Sequence, residues 1–266
     1  MTVRMAKPGR SSRAPLACCF VASLLNVAPL ARAQDAEEGK DKALAMGVSV
    51  DGVSRYTWRG LVLNDDPALQ PSVSLTYGGF TVGVWGSLDL TDSSEDLGHG
   101  YRHGAFSEVD LSLDYEHSFG LVSLSTGLVL YDFPGTGLPN TTELHVGVDA
   151  DLAVDLSFAA WYDIAEANGF YLEAGAAREI GVGKSASLEL GATLGWADAD
   201  WRGFNCGVEN SGWMQAELGV ILSAPVGERV TLRPFTLWST LLDDEVRAGV
   251  DRSDAFVAGF GFDYTW

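Results

Sequence analysis

Cysteine, basic residues and long apolar runs are all scarce in this 266-residue chain, and each scarcity excludes a class of protein. Two of the three cysteines lie in an apolar amino-terminal segment, so Cys206 has no partner for an internal disulfide once that segment is removed. After that segment, no apolar run approaches the length of a transmembrane helix. Without a disulfide framework or helical spans, the remaining fold classes are a packed domain and a β-barrel.

Basic residues number 17 against 36 acidic ones, and none of the acidic residues precedes position 34. Five of the basic residues do precede it, so the remainder carries a net charge of about −24. An excess of this size argues against nucleic acid and anionic lipid as binding partners.

The amino terminus is typical of a secretory signal peptide. Four basic residues precede an apolar run over residues 16–30, and Ala31-Arg32-Ala33 follows as a small-x-small cleavage site. An uncleaved anchor is the alternative, but about 15 apolar residues are too few to span a bilayer comfortably. We therefore expect a cleaved signal peptide at 1–33, a short periplasmic tail at 34–43 and one domain at 44–266.

The last thirteen residues alternate strictly between two kinds of side chain. Because successive side chains of a strand point to opposite faces, this segment has one large apolar face and one small or polar face. The aromatic carboxy-terminal residue is typical of the closing strand of an outer-membrane barrel. The apolar face consists of Phe256, Ala258, Phe260, Phe262, Tyr264 and Trp266.

The same alternation recurs along the chain and predicts about twelve strands, joined by six long and five short connections in strict alternation. A soluble sandwich has no reason to separate loops in this way. The pattern predicts an all-β fold: a transmembrane antiparallel up-and-down β-barrel with both termini in the periplasm. We expect the first strand to run from residue 44 through Tyr56 and Trp58, a loop at 59–70, and the longest external loops at 91–104 and 197–212.

Carboxylates recur on the less apolar faces of these strands. Burying so many without basic partners would be prohibitive, so we expect them to line a hydrated lumen while the apolar faces contact lipid. The alternative is that lumenal arginines at 55, 59, 178 and 233 pair with them and seal the barrel. Strand-end aromatics, Trp58 and Trp266 among them, are expected in the interfacial girdles. The predicted pore-lining residues are Asp110, Asp114, Glu143, Asp149, Asp155, Glu173, Glu189, Glu217 and Arg59.

Arg59 has two interpretations. It can sit at a constriction and contact anionic groups of a solute, or it can end a strand and donate hydrogen bonds to loop carbonyls. We favour the second.

A resemblance to a known family covers roughly residues 54–87. The segment Ser-Arg-Tyr-Thr-Trp-Arg-Gly at 54–60 precedes a loop with Asp-Pro-Ala at 66–68 and a Gly-Val-Trp-Gly-Ser strand at 83–87. These features resemble the TorF-type porins, bacterial outer-membrane proteins of largely unassigned substrate. The resemblance implies an outer-membrane barrel and a pore, and supplies no catalytic residues.

The leading functional hypothesis is passive diffusion of small hydrophilic solutes through a barrel in the outer membrane of a Gram-negative bacterium. Rings of carboxylates favour cations. The alternative is a non-conducting barrel that acts through its external loops, as an adhesin or a component of a complex. The chain is expected to contact outer-membrane lipid and to need no cofactor. Its oligomeric state is left open, with a monomer favoured.

Catalytic and metal sites have little support in the sequence. A lipid-modifying enzyme would need a serine nucleophile and a histidine base, and only His145 lies within a strand and faces the lumen. His99 and His103 lie in a Gly-rich loop, and Asp198-Ala199-Asp200 lacks EF-hand spacing. We therefore expect neither an enzyme nor a metal site, and we expect Cys206 to be an inert thiol.

Overall fold

A computed structural model describes residues 43–91 and 103–266 of the chain. The signal peptide, nearly all of the 34–43 tail, most of the 91–104 loop and His99 lie outside the described residues. The described chain forms fourteen strands and two short helices. These are β1 (Ala45–Val53), β2 (Tyr56–Trp58), β3 (Leu61–Asn64), β4 (Ala68–Tyr77), β5 (Phe80–Asp89), β6 (Phe106–Phe119), β7 (Val122–Asp132), β8 (Thr141–Ala150), β9 (Asp155–Asp163), β10 (Phe170–Val182), β11 (Ala186–Ala197), α1 (Ala199–Cys206), β12 (Gly212–Val226), β13 (Val230–Leu241), α2 (Asp244–Ala248) and β14 (Asp254–Thr265).

Twelve of the strands form one closed antiparallel barrel, which confirms the predicted fold. Each pairs with its neighbours in the chain, and β1 closes the barrel by pairing with β14 on one side and β4 on the other. The backbones of Met46 and Trp266 exchange two hydrogen bonds, so the two ends of the described chain meet at one end of the barrel. Closure leaves no unpaired strand edge.

The connections between barrel strands alternate between long and short, as predicted. The end with the long connections is called the long-loop end here, and the opposite end, where Met46 and Trp266 lie, the short-turn end. The long connections are residues 54–67, 90–105, 133–140, 164–169, 198–211 and 242–253, and the short ones are residues 78–79, 120–121, 151–154, 183–185 and 227–229.

The outer surface of the barrel is apolar. The even-numbered side chains of β14 point outward as predicted, and Phe256, Phe260 and Phe262 are all exposed. Leucine, valine and phenylalanine dominate the same face of the other strands, as a lipid-facing surface requires. No helix in the described residues is long and apolar enough to cross a membrane.

The largest departure from the predicted architecture is in residues 54–67. The first barrel strand ends at Val53, and the chain then turns into the barrel as a two-stranded hairpin, β2–β3, outside the twelve-stranded sheet. The predictions that strand one continues through Trp58 and that 59–70 is a loop are wrong. Trp58 lies inside the barrel, so its predicted place in the interfacial girdle is also wrong.

Apolar side chains fill much of the interior at the long-loop end, where a hydrated lumen lined by carboxylates was expected. One cluster packs Leu61 of the hairpin and Trp201 of α1 against Trp161 and Tyr171 of the wall. A second packs Tyr56 against β5, β13 and β14. Since the inward face still carries the carboxylates, the interior is part apolar core and part acidic surface.

Candidate functional site

The eight predicted carboxylates all occupy positions that alternate with the exposed outer residues, and therefore face the barrel interior. They divide into two groups by height. Those toward the long-loop end are almost fully buried: Asp110, Glu143, Glu173 and Glu217. Those toward the middle and the short-turn end are more accessible: Asp114, Asp149, Asp155 and Glu189.

The accessible group lies where the interior is suited to water. Glu179 and Glu189 occupy directly opposite register positions on β10 and β11, both facing inward. Like charges placed opposite one another in a sheet destabilise it unless solvent separates them. This half of the interior also carries many small residues, including Gly47, Gly147 and Gly191.

Arg59 lies at the tip of the β2–β3 hairpin, deep inside the barrel. Arg59 and Gly60 both have positive φ angles, of 50° and 84°, as a tight two-residue hairpin turn requires. The turn directs the Arg59 guanidinium at Glu143 of β8, and its two terminal nitrogens donate hydrogen bonds of 2.7 and 2.8 Å to the two carboxylate oxygens. Tyr131 donates a further hydrogen bond of 2.9 Å to Glu143.

Four aromatic rings surround the same guanidinium. Its central carbon lies 4.1 Å from the ring centre of Tyr171, with the three tryptophan rings between 4.5 and 5.6 Å away. Such contacts stabilise a desolvated cation through the ring quadrupole. The tryptophans are Trp58, Trp161 and Trp201.

The interpretation of Arg59 as a donor to loop carbonyls is therefore wrong, because its terminal nitrogens bond to a carboxylate. The alternative in which lumenal arginines pair with the interior carboxylates describes Arg59 correctly, since Arg59 bonds to Glu143. Residues 59 and 143 are 84 positions apart in the chain, so no local spacing in the sequence links them.

The other candidate lumenal arginines differ in their positions. Arg233 on β13 faces inward and bonds to Asp51 and Asp263, two carboxylates that the sequence analysis did not select. Arg55 pairs with Asp65 in the 54–67 connection. Arg178 precedes the inward-facing Glu179 on β10, so its own side chain lies on the outer face. The prediction that Arg178 is a lumenal arginine is wrong.

Two short helices cover the long-loop end. Asp198 caps α1 by accepting a 2.9 Å hydrogen bond from the Trp201 backbone nitrogen, so it is a helix cap. Asp243 caps α2 and lies 2.8 Å from a terminal nitrogen of the buried Arg202. Burial opposes the ionisation of Asp243, but hydrogen bonds from Val246 and Arg202 outweigh it and hold its pKa below the usual value.

Cys206, at the end of α1, is a partly buried free thiol. Burial raises the pKa of this thiol to about 11, although Arg202 acts in the opposite direction. A thiol of this kind is a poor nucleophile at neutral pH.

A cavity of about 690 Å³ opens between the hairpin, α1 and the loops of the long-loop end. Its walls combine aromatic rings with carboxylates. The aromatic residues lining it are Tyr56, Trp58, Tyr131, Phe133, Trp201 and Phe204, and the acidic ones are Asp65, Glu108, Glu143, Asp163 and Asp251. Sequence reasoning missed this cavity because its residues come from six separated segments.

His145 faces the interior, as predicted, and its Nε2 lies 2.8 Å from Asp114 Oδ1. Its ring also stacks on Trp161, with 4.4 Å between ring centres. Among the described residues, no hydrogen bond joins His145 to a serine hydroxyl, and no group of three or more metal-ligating side chains is arranged to hold an ion. His103 Nδ1 lies 2.7 Å from the carbonyl oxygen of Leu90.

The comparison with known protein families gives one match. The model of a family described as "Bacterial protein of unknown function (Gcw_chp)" matches residues 36–200, which is more than half of the chain. No curated protein matches the sequence.

Solved structures with a similar fold are outer-membrane channels. The KdgM porin is 10% identical over 83% of this chain and 99% of its own, with a TM-score of 0.52. The COG4313 outer membrane channel from Pseudomonas putida F1 is 11% identical over 87% and 100%, also with a TM-score of 0.52. The NanC porin is 11% identical over 82% and 98%, with a TM-score of 0.50. At these identities the likeness shows the fold alone.

Proposed function

The chain belongs to the Gcw_chp family of bacterial proteins of unknown function, and from that premise we propose that it is a porin-like channel. It would lie in the outer membrane of a Gram-negative bacterium, with both termini in the periplasm, and allow passive diffusion of small hydrophilic solutes. Its TorF-type features at residues 54–87 support the same proposal. A monomer is the simplest assembly, since smaller barrels are commonly monomeric.

The observation that carries the proposal is the contrast between the two surfaces of one closed barrel. The outer face is apolar, whereas the inner face carries carboxylates beside the apolar clusters of the long-loop end. Interior carboxylates at eight predicted positions outnumber the inward-facing arginines, of which Arg59 and Arg233 are already bonded to carboxylates. A water-filled path lined by an excess of carboxylates favours cations over anions.

The hairpin and the apolar clusters narrow that path at the long-loop end. We therefore propose a narrow channel for small solutes. One KdgM structure is described as a complex with disordered oligogalacturonate, which is a polyanion. The acidic interior of this chain would repel polyanions, so we propose that its solutes are different.

The test is single-channel recording of the refolded mature protein in a planar bilayer with a potassium chloride gradient. We expect discrete current steps and a reversal potential whose sign indicates that potassium passes more readily than chloride. Heat-modifiable electrophoretic mobility should first establish that the barrel is folded. A folded barrel without conductance would reject the channel.

A second candidate is a non-conducting barrel that acts through its external loops. The bonding of Arg59 to Glu143, with four rings around the guanidinium, supports it, because a hairpin held this firmly can seal the interior. The same recording separates the two candidates: a folded, silent barrel whose currents appear only when the hairpin is displaced would favour the second.

A further inference from the structure

We propose that the cavity at the long-loop end binds a small organic cation, with Glu108 as its anionic anchor. The proposal deepens the channel function, on which it rests, by naming the class of solute that enters from this end. The cation would carry an amidinium, guanidinium or ammonium group attached to an apolar body.

The size and lining of the cavity suit a small molecule. A volume of about 690 Å³ lies within the range of about 300–1,000 Å³ typical of ligand pockets. Trp58 and Trp201 form part of the wall, with ring centres 5.5 Å apart, and Tyr131 lies edge-on to Trp58. These rings offer faces and edges to a planar or apolar ligand.

The charge of the lining selects for a cation. Asp65 is paired with Arg55 and Arg252, and Glu143 with Arg59. The carboxylates of Glu108, Asp163 and Asp251 also line the cavity. None of these three has an ion-pair partner among the residues that the structure describes.

Glu108 is the strongest anchor among the three carboxylates. It is 96% buried yet lines the cavity, beside Tyr56 and Asp110. Asp163 is already held by the Thr141 hydroxyl and three backbone nitrogens, and Asp251 is exposed. A buried carboxylate without a cationic partner is costly, and a bound cation would remove that cost.

The protein itself supplies an example of the proposed chemistry. The guanidinium of Arg59 is bound by a carboxylate and aromatic rings, and two of those rings, Trp58 and Trp201, also line the cavity. A weakly hydrated organic cation matches such a surface through cation–π contacts. The described residues provide no three-ligand cluster for a metal ion, which favours an organic cation over a divalent metal.

The test is titration of the folded, full-length mature barrel in detergent with benzamidinium, and with benzamide as the neutral molecule of the same shape. Tryptophan fluorescence, with calorimetry as a second readout, would report binding. We expect benzamidinium to bind at least about tenfold more tightly than benzamide, since a charge-assisted hydrogen bond contributes more than a neutral one. Glu108→Gln should weaken benzamidinium binding about tenfold and leave benzamide unchanged.

The matched control is Glu116→Gln, which removes a carboxylate from the same strand near the short-turn end, outside the cavity. It should bind benzamidinium like the unaltered protein. Equal binding of benzamidinium and benzamide, no binding of either, or equal weakening by both variants would overturn the proposal. Heat-modifiable mobility would establish that each variant is folded.

Failure of this site and failure of the channel are distinguishable. Conductance without selective benzamidinium binding keeps the channel and rejects the site. Selective, Glu108-dependent binding to a barrel without conductance supports the site and rejects the channel.

Discussion

Arg59 and Glu143 form a buried pair whose two members depend on each other. Each side chain is at most 4% exposed, so removing one charge leaves the other in a poorly solvated place. Breaking such a pair costs far more free energy than the intact pair contributes. The pair therefore fixes the position of the hairpin more than it adds to stability.

Replacing Glu143 with glutamine should lower the free energy of unfolding by about 3 kcal/mol, because the guanidinium loses its counter-charge inside the aromatic cage. The measurement is urea unfolding of the barrel in detergent, followed by tryptophan fluorescence. Glu116→Gln serves as the control, because the Glu116 side chain is exposed, and it should change stability by less than about 0.5 kcal/mol. Equal stability of the two variants would contradict this account of the pair.

Cys206 gives a second prediction for a single side chain. Because burial raises the pKa of its thiol to about 11, little thiolate is present at pH 7.4. Alkylation by iodoacetamide should be more than about tenfold slower in the folded barrel than in urea, where the thiol returns to its ordinary pKa. Equal rates in the two states, measured by mass spectrometry, would show that burial does not protect the thiol.

The β2–β3 hairpin lies inside the barrel, and we propose that it limits how open the interior is. It contacts the wall on several sides, through Tyr56 near β5, Arg59 at β8 and Leu61 against β10 and β12. Gly60 allows the turn to approach the wall, because a Cβ there would lie 2.6 Å from Gln215 Cβ and 2.8 Å from Leu241 Cδ2. Its φ of 84° is also unfavourable for other residues.

Substituting Gly60 with valine should therefore displace the hairpin while the twelve strands remain paired. We expect a larger single-channel conductance, a barrel that is still heat-modifiable, and a loss of about 2–4 kcal/mol in the free energy of unfolding. Gly203→Ala in α1 is the control, because no described atom outside its own stretch of helix backbone lies within 4 Å of the added carbon, and its conductance should be unchanged. An unaltered current in folded Gly60→Val would show that the hairpin does not limit the path.

The barrel strands were predictable from sequence, and the hairpin was not, for a physical reason. Barrel strands of nine to fifteen residues carry enough alternating side chains to show a two-residue period, and the spacing of their turns shows the up-and-down order. The hairpin strands have three and four residues and continue the alternation of β1, so nothing marks the break after Val53. Contacts across the barrel, such as the bonding of Arg59 to Glu143, help to hold the hairpin in place.

The inward direction of the carboxylates followed from the same alternation, whereas the packing around them did not. Trp161 and Tyr171 face inward on strands whose outward residues are also aromatic or aliphatic, such as Phe158 and Leu172. Composition alone therefore could not distinguish apolar residues that pack inside the barrel from apolar residues that face lipid. The cavity required the hairpin, α1 and the 242–253 connection to be placed together, which no sequence period encodes.

At the scale of the whole molecule, the interior of the barrel has two halves with different linings. The long-loop end holds the hairpin, the apolar clusters and the cavity. The short-turn half is polar, with opposed Glu179 and Glu189 on its inner face. A cation entering from the long-loop end would pass from an aromatic and acidic surface to a hydrated acidic one, and anions would be disfavoured along the whole path.

The most direct test of this claim is the reversal potential in a potassium chloride gradient, compared between the unaltered barrel and the double variant Glu179→Gln, Glu189→Gln. The control is Arg178→Gln, because Arg178 adjoins Glu179 in sequence but lies on the outer face. We predict cation selectivity in the unaltered protein, a clear shift toward zero in the double variant and no shift in the control. Anion selectivity in the unaltered barrel, or a reversal potential that the double variant leaves unchanged, would contradict the account.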